Sequence, residues 1–357
     1  MRSALPKPIH RICGRPMVLH VIDALAELDV ARVVVVIGHE AEAVRTAVEA
    51  GAPDGVRIEF ALQVEQRGTG DAVAIGLGAL AEQPVDDQGD VIVLPGDAPL
   101  LRASTLSHLV EVHRAHEAGA TLLTARIADP TGYGRVLRGR GESVIGIVEH
   151  GDATSEQRAI DEVNTSIYCF RRSPLAPVLR RLSPQNAQGE YYLTDAVAVL
   201  HDAGYPTVAV MASDAMEAAG VNDRVQLAEA EAAMRKRINE RWMASGVTMR
   251  DSATTYIDVD VLLDPDVELL AGVALTGGTT VGSGAVIGPD CTIDGCQVGS
   301  RARIERTTAR RAVIGAGAMV GPWVLVPEGT SVAAGGYVGP SLPDDGERPF
   351  AEEPLAR

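Results

Sequence analysis

Apolar runs bounded by turn residues alternate with amphipathic stretches over the first two thirds of the chain. Ala31 to Ile37 (Ala-Arg-Val-Val-Val-Val-Ile) is an apolar run, broken only by Arg32, closed by Gly38-His39-Glu40. Val56 to Gln63, Asp90 to Pro95 and Thr121 to Ile127 repeat that pattern, and Pro16 to Leu28 and Ala103 to His116 have helical spacing between them. Strand and helix in alternation predict an α/β fold with a mainly parallel sheet covered on both faces. A long helix follows, with Asp223 as its N-cap and Gly246 as its stop. Leu227, Met234, Ile238 and Trp242 line one side of it, and Glu229, Glu231, Arg235, Lys236 and Arg237 face out, as in a connecting arm. The period then changes. Leu269, Leu275, Val281, Ile287 and Ile293 recur every sixth residue, Val298 and Ile304 follow after one short step, and Ile314, Val320, Val326, Val332 and Val338 form a second register. Ala285, Ala312 and Ala318 sit two positions before aliphatics, and Gly282, Gly288, Gly299, Gly315 and Gly321 follow them. Aliphatics at a hexapeptide period with glycine at the turns predict a parallel β-helix. The acidic, proline-bearing tail beyond Gly339 is expected to be disordered.

Composition narrows the classes of function. A chain of 357 residues that is 46% hydrophobic can bury a large core. Its net charge of -16 argues against general binding to nucleic acid or anionic membranes, which needs clustered Lys and Arg. A small phosphorylated substrate stays compatible, because one local cation can offset the global field. Cys13, Cys169, Cys291 and Cys296 lie without a His-rich neighbour, which argues against zinc and for reduced thiols in a cytoplasm. The start lacks the apolar core of a secretory signal, and no run is long enough to span a membrane.

Chemistry concentrates at the ends of the predicted strands. Asp97, in Leu94-Pro95-Gly96-Asp97-Ala98-Pro99, lies where open α/β sheets bind ligands, and a carboxylate there can hold Mg²⁺. The other reading is a helix N-cap, since Ser104 and Thr105 follow. Lys7 can neutralise a phosphate or lie on the surface. Gln63 to Ala72, with Gly68-Thr69-Gly70, either offers backbone N–H groups to a base or phosphate or makes a plain strand-to-helix turn. Thr131-Gly132-Tyr133-Gly134-Arg135, Ile147-Val148-Glu149-His150, Glu162-Val163-Asn164 and Gly189-Glu190-Tyr191-Tyr192-Leu193-Thr194-Asp195 are polar clusters beside apolar runs. Glu149 and Asn164 suit sugar hydroxyls or an amide, and also caps and turns. Asn222 is a cap or a second oxygen ligand for a cation.

Taken in order, these segments resemble the bacterial bifunctional N-acetylglucosamine-1-phosphate uridyltransferase / glucosamine-1-phosphate N-acetyltransferase family, from Met1 to about Gly339. The resemblance implies a Rossmann-like nucleotidyltransferase domain over 1–222, a linker helix over 223–246, a short left-handed parallel β-helix over 247–339 and a tail over 340–357. It implies Mg²⁺ on Asp97 and Asn222, phosphate contact by Lys7, uracil contact by Gln63, Gly68 and Thr69, and N-acetylglucosamine-1-phosphate held by Gly134, Glu149, Asn164, Tyr192 and Thr194. The implied reaction is uridylyl transfer from UTP with release of pyrophosphate, for cell-wall precursor supply, in a cytoplasmic homotrimer joined through its β-helix. A related sugar-1-phosphate nucleotidyltransferase and an inactive sugar-nucleotide-binding subunit are the alternatives.

Two departures from the family generate expectations. The family opens with a strand and Leu-Ala-Ala-Gly-x-Gly-Thr-Arg-Met, and this chain begins at the Met of that motif. A sheet without its central strand would lose several kcal/mol, on the order of domain stability. A mis-assigned start codon is therefore expected, with a poorly stable and nearly inactive truncation as the alternative. The family's Leu-Arg-Pro reads Leu325-Val326-Pro327 here, and the coils that carry the acetyltransferase residues are not in the sequence, so acetyl transfer is expected to be absent. Mass spectrometry of the native protein's N-terminal peptide should find residues upstream of Met1; a peptide beginning at Met1 contradicts the start-codon expectation.

Overall fold

A computed structural model describes residues 1–81 and 89–340. The expectation of a disordered tail falls on 340–357, nearly all of it outside the described residues. Two compact units emerge. The first holds Met1–Ile12 and Pro16–Ala230; the second holds Cys13–Arg15 and the chain from Glu231 onward. The division falls inside the long helix, α7 (Arg224–Ala244). No described helix is long and apolar enough to cross a membrane.

In the first unit, strands β1 (Val33–Ile37), β2 (Ile58–Leu62), β3 (Asp90–Val93), β4 (Ala120–Arg126), β5 (Arg135–Arg138), β6 (Val144–Val148), β7 (Glu162–Arg171) and β8 (Thr207–Met211) alternate with helices. The helices are α1 (Met17–Ala26), α2 (Ala41–Gly51), α3 (Thr69–Ala81), α4 (Ala103–Ala115), α5 (Arg172–Leu179) and α6 (Asp195–Asp202). β1 pairs β2 and β4 pairs β8 in parallel. β7 runs antiparallel to β3, β4 and β5. The alternation of strand and helix did not disclose this reversed strand.

β7 organises the unit. Tyr168 and Phe170 enter one core cluster with Leu122, Val136, Leu175 and Leu200; Ile167 and Cys169 enter another with Leu25, Leu106, Leu109 and Val210. Alternate residues of a strand point to opposite faces, so this strand is buried on both. β3, by contrast, is half-buried throughout, as are Val33–Val36 of β1, where the apolar runs predicted full burial. The physical reason is pairing. β1 and β2 form a ladder of their own, and among the described residues no strand pairs with the second edge of β1 or β3. β3 ends at Val93 rather than Pro95 because Pro95 has no N–H for a ladder.

The second unit is a β-solenoid of three parallel sheets with six, five and five strands. Leu269, Ile287, Ile304, Val320 and Val338 stack in one column through successive ladders. All but Val338 are buried, as are Leu275, Ile293, Val281, Val298, Ile314, Val326 and Val332 in the other columns. Coils begin earlier than the hexapeptide register shows, with Thr248–Met249, Tyr256–Ile257 and Leu262–Leu263. Gly299 and Gly315 follow the aliphatics because a neighbouring coil's backbone occupies the space: a Cβ on either would meet a backbone nitrogen at 2.5 Å.

α7 starts as expected, with Asp223 Oδ1 accepting from the N–H groups of Val225 and Gln226. Its faces differ from the helical-wheel reading. Ile238 is buried, but Leu227, Met234 and Trp242 are only half-buried. Glu231 turns inward and accepts the Cys13 N–H at 2.7 Å, and Arg235 lies over the Tyr256 ring at 4.4 Å. A buried polar residue, Asn239, donates to the carbonyls of Ser252 and Thr255 and ties the helix to the first coil.

Two glycines should respond in opposite directions. Gly299→Ala forces a Cβ against Ala316 and should destabilise by about 1–3 kcal/mol. Gly78→Ala, in α3 with open space around it, should stabilise by about 0.4–1 kcal/mol. Denaturant unfolding of both variants checks the pair; a neutral Gly299→Ala contradicts the close stacking of coils.

Candidate functional site

The candidate residues gather at one end of the β3–β7–β5 arrangement. β3 runs antiparallel to β7 with Val93 opposite Tyr168, so the chain beyond Val93 heads toward Asn164. β5 pairs the same edge of β7 farther along, with Arg135 opposite Val163. The segments that carry Asp97 and Gly134 therefore both approach β7 near Asn164, from the carboxyl end of β3.

Asp97 is not a helix cap. α4 begins at Ala103 after Arg102, and its Thr105 hydroxyl donates to Glu217. The Asp97 main chain is fixed instead by the Val221 N–H, which donates to its carbonyl at 3.0 Å. Gly220 leaves room beside the carboxylate: a Cβ there would sit 3.4 Å from Oδ1. Lys7, the first residue of a short 3₁₀ turn, places its ammonium between two of the candidate ligands. It donates to Asn222 Oδ1 at 2.6 Å and forms an ion pair with Asp97 Oδ2. Asn222 is thus no helix cap; Asp223 takes that role.

The second group surrounds Glu149. Thr194 Oγ1, just before α6, donates to Glu149 Oε1 at 3.1 Å. Gly134 faces the other oxygen: a Cβ on it would lie 3.4 Å from Glu149 Oε2 and 3.0 Å from Ile147. Asn164 is placed by a bulge. The β4–β7 register jumps from Leu123↔Ile167 to Thr124↔Asn164, leaving Thr165 and Ser166 extra, with Ser166 at φ 61°. The Asn164 N–H donates to the Gly134 carbonyl at 2.9 Å, and its amide donates to the Tyr168 hydroxyl at 2.8 Å. Burial pushes the Glu149 carboxyl above its ordinary range, partly opposed by the Thr194 hydrogen bond, with Asp195 and Asp152 adding to the rise. Asp195 is raised by burial and by Asp152. Tyr192 is buried, and its phenol is pushed up by burial and then by Asp152 and Glu149. Asp152 is a member of this group that the sequence reading missed; a carboxylate in a turn carries no motif.

Gln63, Gly68 and Thr69 form the third group. Gln63 is buried, and its amide N–H groups go to Asp71 Oδ2 at 2.8 Å and the Gly68 carbonyl at 3.3 Å. Gly68 has φ 108°, and a Cβ on it would meet the Tyr191 carbonyl at 2.7 Å. Thr69 opens α3 and accepts the Leu193 N–H on its hydroxyl at 3.1 Å. Reciprocal backbone bonds, Tyr191 N–H to Arg67 and Gly70 N–H to Tyr191, join this turn to the segment carrying Tyr192 and Thr194. Tyr133 links the other two groups: its phenol is raised by burial and by the nearby Asp97 charge, and it precedes Gly134.

Among the described residues no three His, Cys, Asp or Glu side chains converge as a metal centre. What does converge is one carboxylate oxygen and one amide oxygen on a single cation, the Lys7 ammonium. Hard oxygen donors in so small a number suit Mg²⁺, which keeps several waters and takes substrate phosphates as further ligands.

A family model described as nucleotidyl transferase matches residues 2–246. The chain is 46% identical over 315 residues to the bifunctional protein GlmU of Thermobifida fusca (strain YX), covering 88% of this chain and 64% of that protein. It is 46% identical over 340 residues to the bifunctional protein GlmU of Mycolicibacterium vanbaalenii, covering 95% of this chain and 68% of that one. For the bifunctional protein GlmU of Brevibacillus brevis, identity is 43% over 339 residues, with 95% and 71% covered. The chain thus spans about two thirds of the length of these relatives.

Glu149→Gln isolates the effect of burial. A carboxyl raised in the folded state destabilises the fold above its folded value, and the effect vanishes below its unfolded value, about 4.3. The variant should therefore melt at a higher temperature than the wild type at neutral pH and converge with it near about pH 4. A difference that stays constant across that range contradicts the assignment.

Proposed function

The chain belongs to the nucleotidyl transferase family, with the bifunctional GlmU proteins as its relatives, and on that premise we propose that it joins N-acetylglucosamine-1-phosphate to UTP, releasing pyrophosphate and forming UDP-N-acetylglucosamine for cell-wall precursor supply. The observation that carries the reading is the convergence of Lys7, Asp97 and Asn222 beside the Glu149–Thr194–Gly134–Asn164 group. One half suits phosphates and the other suits a hydroxylated ring bearing an amide.

The chemistry asks little of acids and bases. A sugar-phosphate oxygen attacks the α-phosphorus in line with the leaving pyrophosphate, so positioning and charge neutralisation dominate. A divalent cation, proposed as Mg²⁺, would be held by Asp97 and Asn222 and would supply charge neutralisation on the phosphates. Lys7, which now pairs with Asp97, would turn its ammonium to phosphate oxygens. Glu149, with Oε1 held by Thr194, keeps Oε2 beside Gly134 for a sugar hydroxyl. Gln63 commits its N–H groups to Asp71 and Gly68, which leaves its amide oxygen as the acceptor for a pyrimidine N–H.

We assign no acetyl transfer to this chain: Val326, where the family's Leu-Arg-Pro carries arginine, is buried in its coil. A homotrimer through the solenoid is proposed on the face carrying Ala274, Thr292, Thr308 and Leu325, an uncharged column that another copy can approach closely. A UTP-consuming enzyme works where nucleoside triphosphates are held, so the cytoplasm is its proposed place.

Pyrophosphate release should require UTP, N-acetylglucosamine-1-phosphate and a divalent cation, and Asp97→Asn should lower it by about 10²-fold or more. Equal or faster release with glucose-1-phosphate, or with dTTP in place of UTP, would move the assignment to a related nucleotidyltransferase. Release unaffected by Asp97→Asn contradicts the proposed cation site. Acetyl-CoA with glucosamine-1-phosphate should yield no free coenzyme A; turnover there contradicts the Val326 argument.

A further inference from the structure

Arg135 has no part in the reaction just described, yet its environment is unusual. The residue is 1% exposed. Its guanidinium donates to the Tyr133 carbonyl through Nη1 and lies 3.5 Å from His150 Nδ1 through Nη2, while Nε is buried without a partner among the described residues. Neither hydrogen-bonding partner is a carboxylate. The carboxylate that feels this charge, Asp129, is exposed and is held chiefly by Thr131. A buried cation with no carboxylate bonded to it does not serve stability, because an apolar side chain of similar size avoids the desolvation penalty.

What Arg135 does is geometric. It opens β5, with its backbone pinned opposite Val148 on one side and Val163 on the other. From that fixed point the side chain folds back to the carbonyl two residues earlier and so encloses Gly134. The Gly134 carbonyl accepts the Asn164 N–H, its Cα faces Glu149, and the preceding Tyr133 phenol senses Asp97. One peptide, Tyr133–Gly134, thus joins the sugar-facing group to the cation-facing group, and the guanidinium grips that peptide.

We infer that Arg135 is a positioning residue: its buried guanidinium, oriented by His150, fixes the Tyr133–Gly134 peptide in the conformation that presents Gly134 to the sugar phosphate. This rests on the nucleotidyltransferase reading for its substrate, though not for its geometry.

Arg135→Met is the direct test, with melting temperature, both KM values, kcat and hydrogen exchange of residues 131–134 measured on the full chain. The inference expects an unchanged or higher melting temperature, a KM for the sugar phosphate raised about tenfold or more, KM for UTP and kcat within about threefold, and faster exchange at 131–134. Arg135→Lys should recover part of the sugar-phosphate KM, and His150→Phe should raise it in the same direction by less. An unchanged sugar-phosphate KM in folded Arg135→Met overturns the inference, and so does a fall in melting temperature with both KM values and kcat moving together. Should Arg135→Met fail to fold, His150→Phe decides in its place, and an unchanged KM there overturns it. Absence of pyrophosphate release by the wild type would remove the proposed reaction alone; exchange at 131–134 in the variant equal to wild type would remove this inference alone.

Discussion

The antiparallel ladder along Glu162–Arg171 is the constraint on which the rest of the nucleotidyltransferase unit depends. This one strand takes β4 along one edge and divides its other edge between β3 and the start of β5. That division sends the chain after β3, which carries Asp97, toward Asn164. Its alternating residues fill two cores at once, which fixes the register, because a slip of one residue would exchange Tyr168 and Phe170 with Ile167 and Cys169. The single irregularity is the bulge at Thr165–Ser166, and it lies beside the site, where it re-aims Asn164.

Charge is distributed to match the two halves of the site. The chain carries a net charge of -16, and Glu149, Asp152 and Asp195 cluster at the group proposed to hold the sugar. Carboxylates there accept hydroxyl protons without opposing a substrate charge. Lys7 pairs with Asp97, the buried Arg135 grips backbone, and Arg67 pairs with Asp71 beside Gln63. An anionic substrate meets little general attraction from such a surface. Its binding depends on a few local contacts, so removing one of them should be felt strongly.

How much of this was legible in the sequence depended on whether a feature repeats. The solenoid was readable because each coil restates the same aliphatic, small-residue and glycine positions, and because Gly299 and Gly315 are imposed by backbone contact. The apolar run before Asp97 marked its place at the end of a strand but left a helix cap open, which the start of α4 after Arg102 excludes. The reversal of β7 was not, since an apolar strand carries no mark of its direction. Nor was the half-burial of β1 and β3, which depends on which edges are paired rather than on their own aliphatic content. Glu231 looked like a surface charge on a helical wheel, and only the fold brings the Cys13 N–H to it. Lys7 and Asn222 meet across 215 positions, with Asp97 between them in sequence, and the resemblance to a known family, not any local pattern, proposed that they meet.

Asp97 and Asn222, the proposed cation ligands, are bridged by the Lys7 ammonium, which would leave them for phosphate when substrate binds. A crystal structure of the protein with Mn²⁺ and UTP tests it most directly. One anomalous peak is expected within ligand distance of Asp97 and Asn222 Oδ1, with the Lys7 ammonium moved from the carboxylate to a phosphate oxygen. A peak elsewhere, or nucleotide bound while Lys7 still pairs with Asp97, would contradict it.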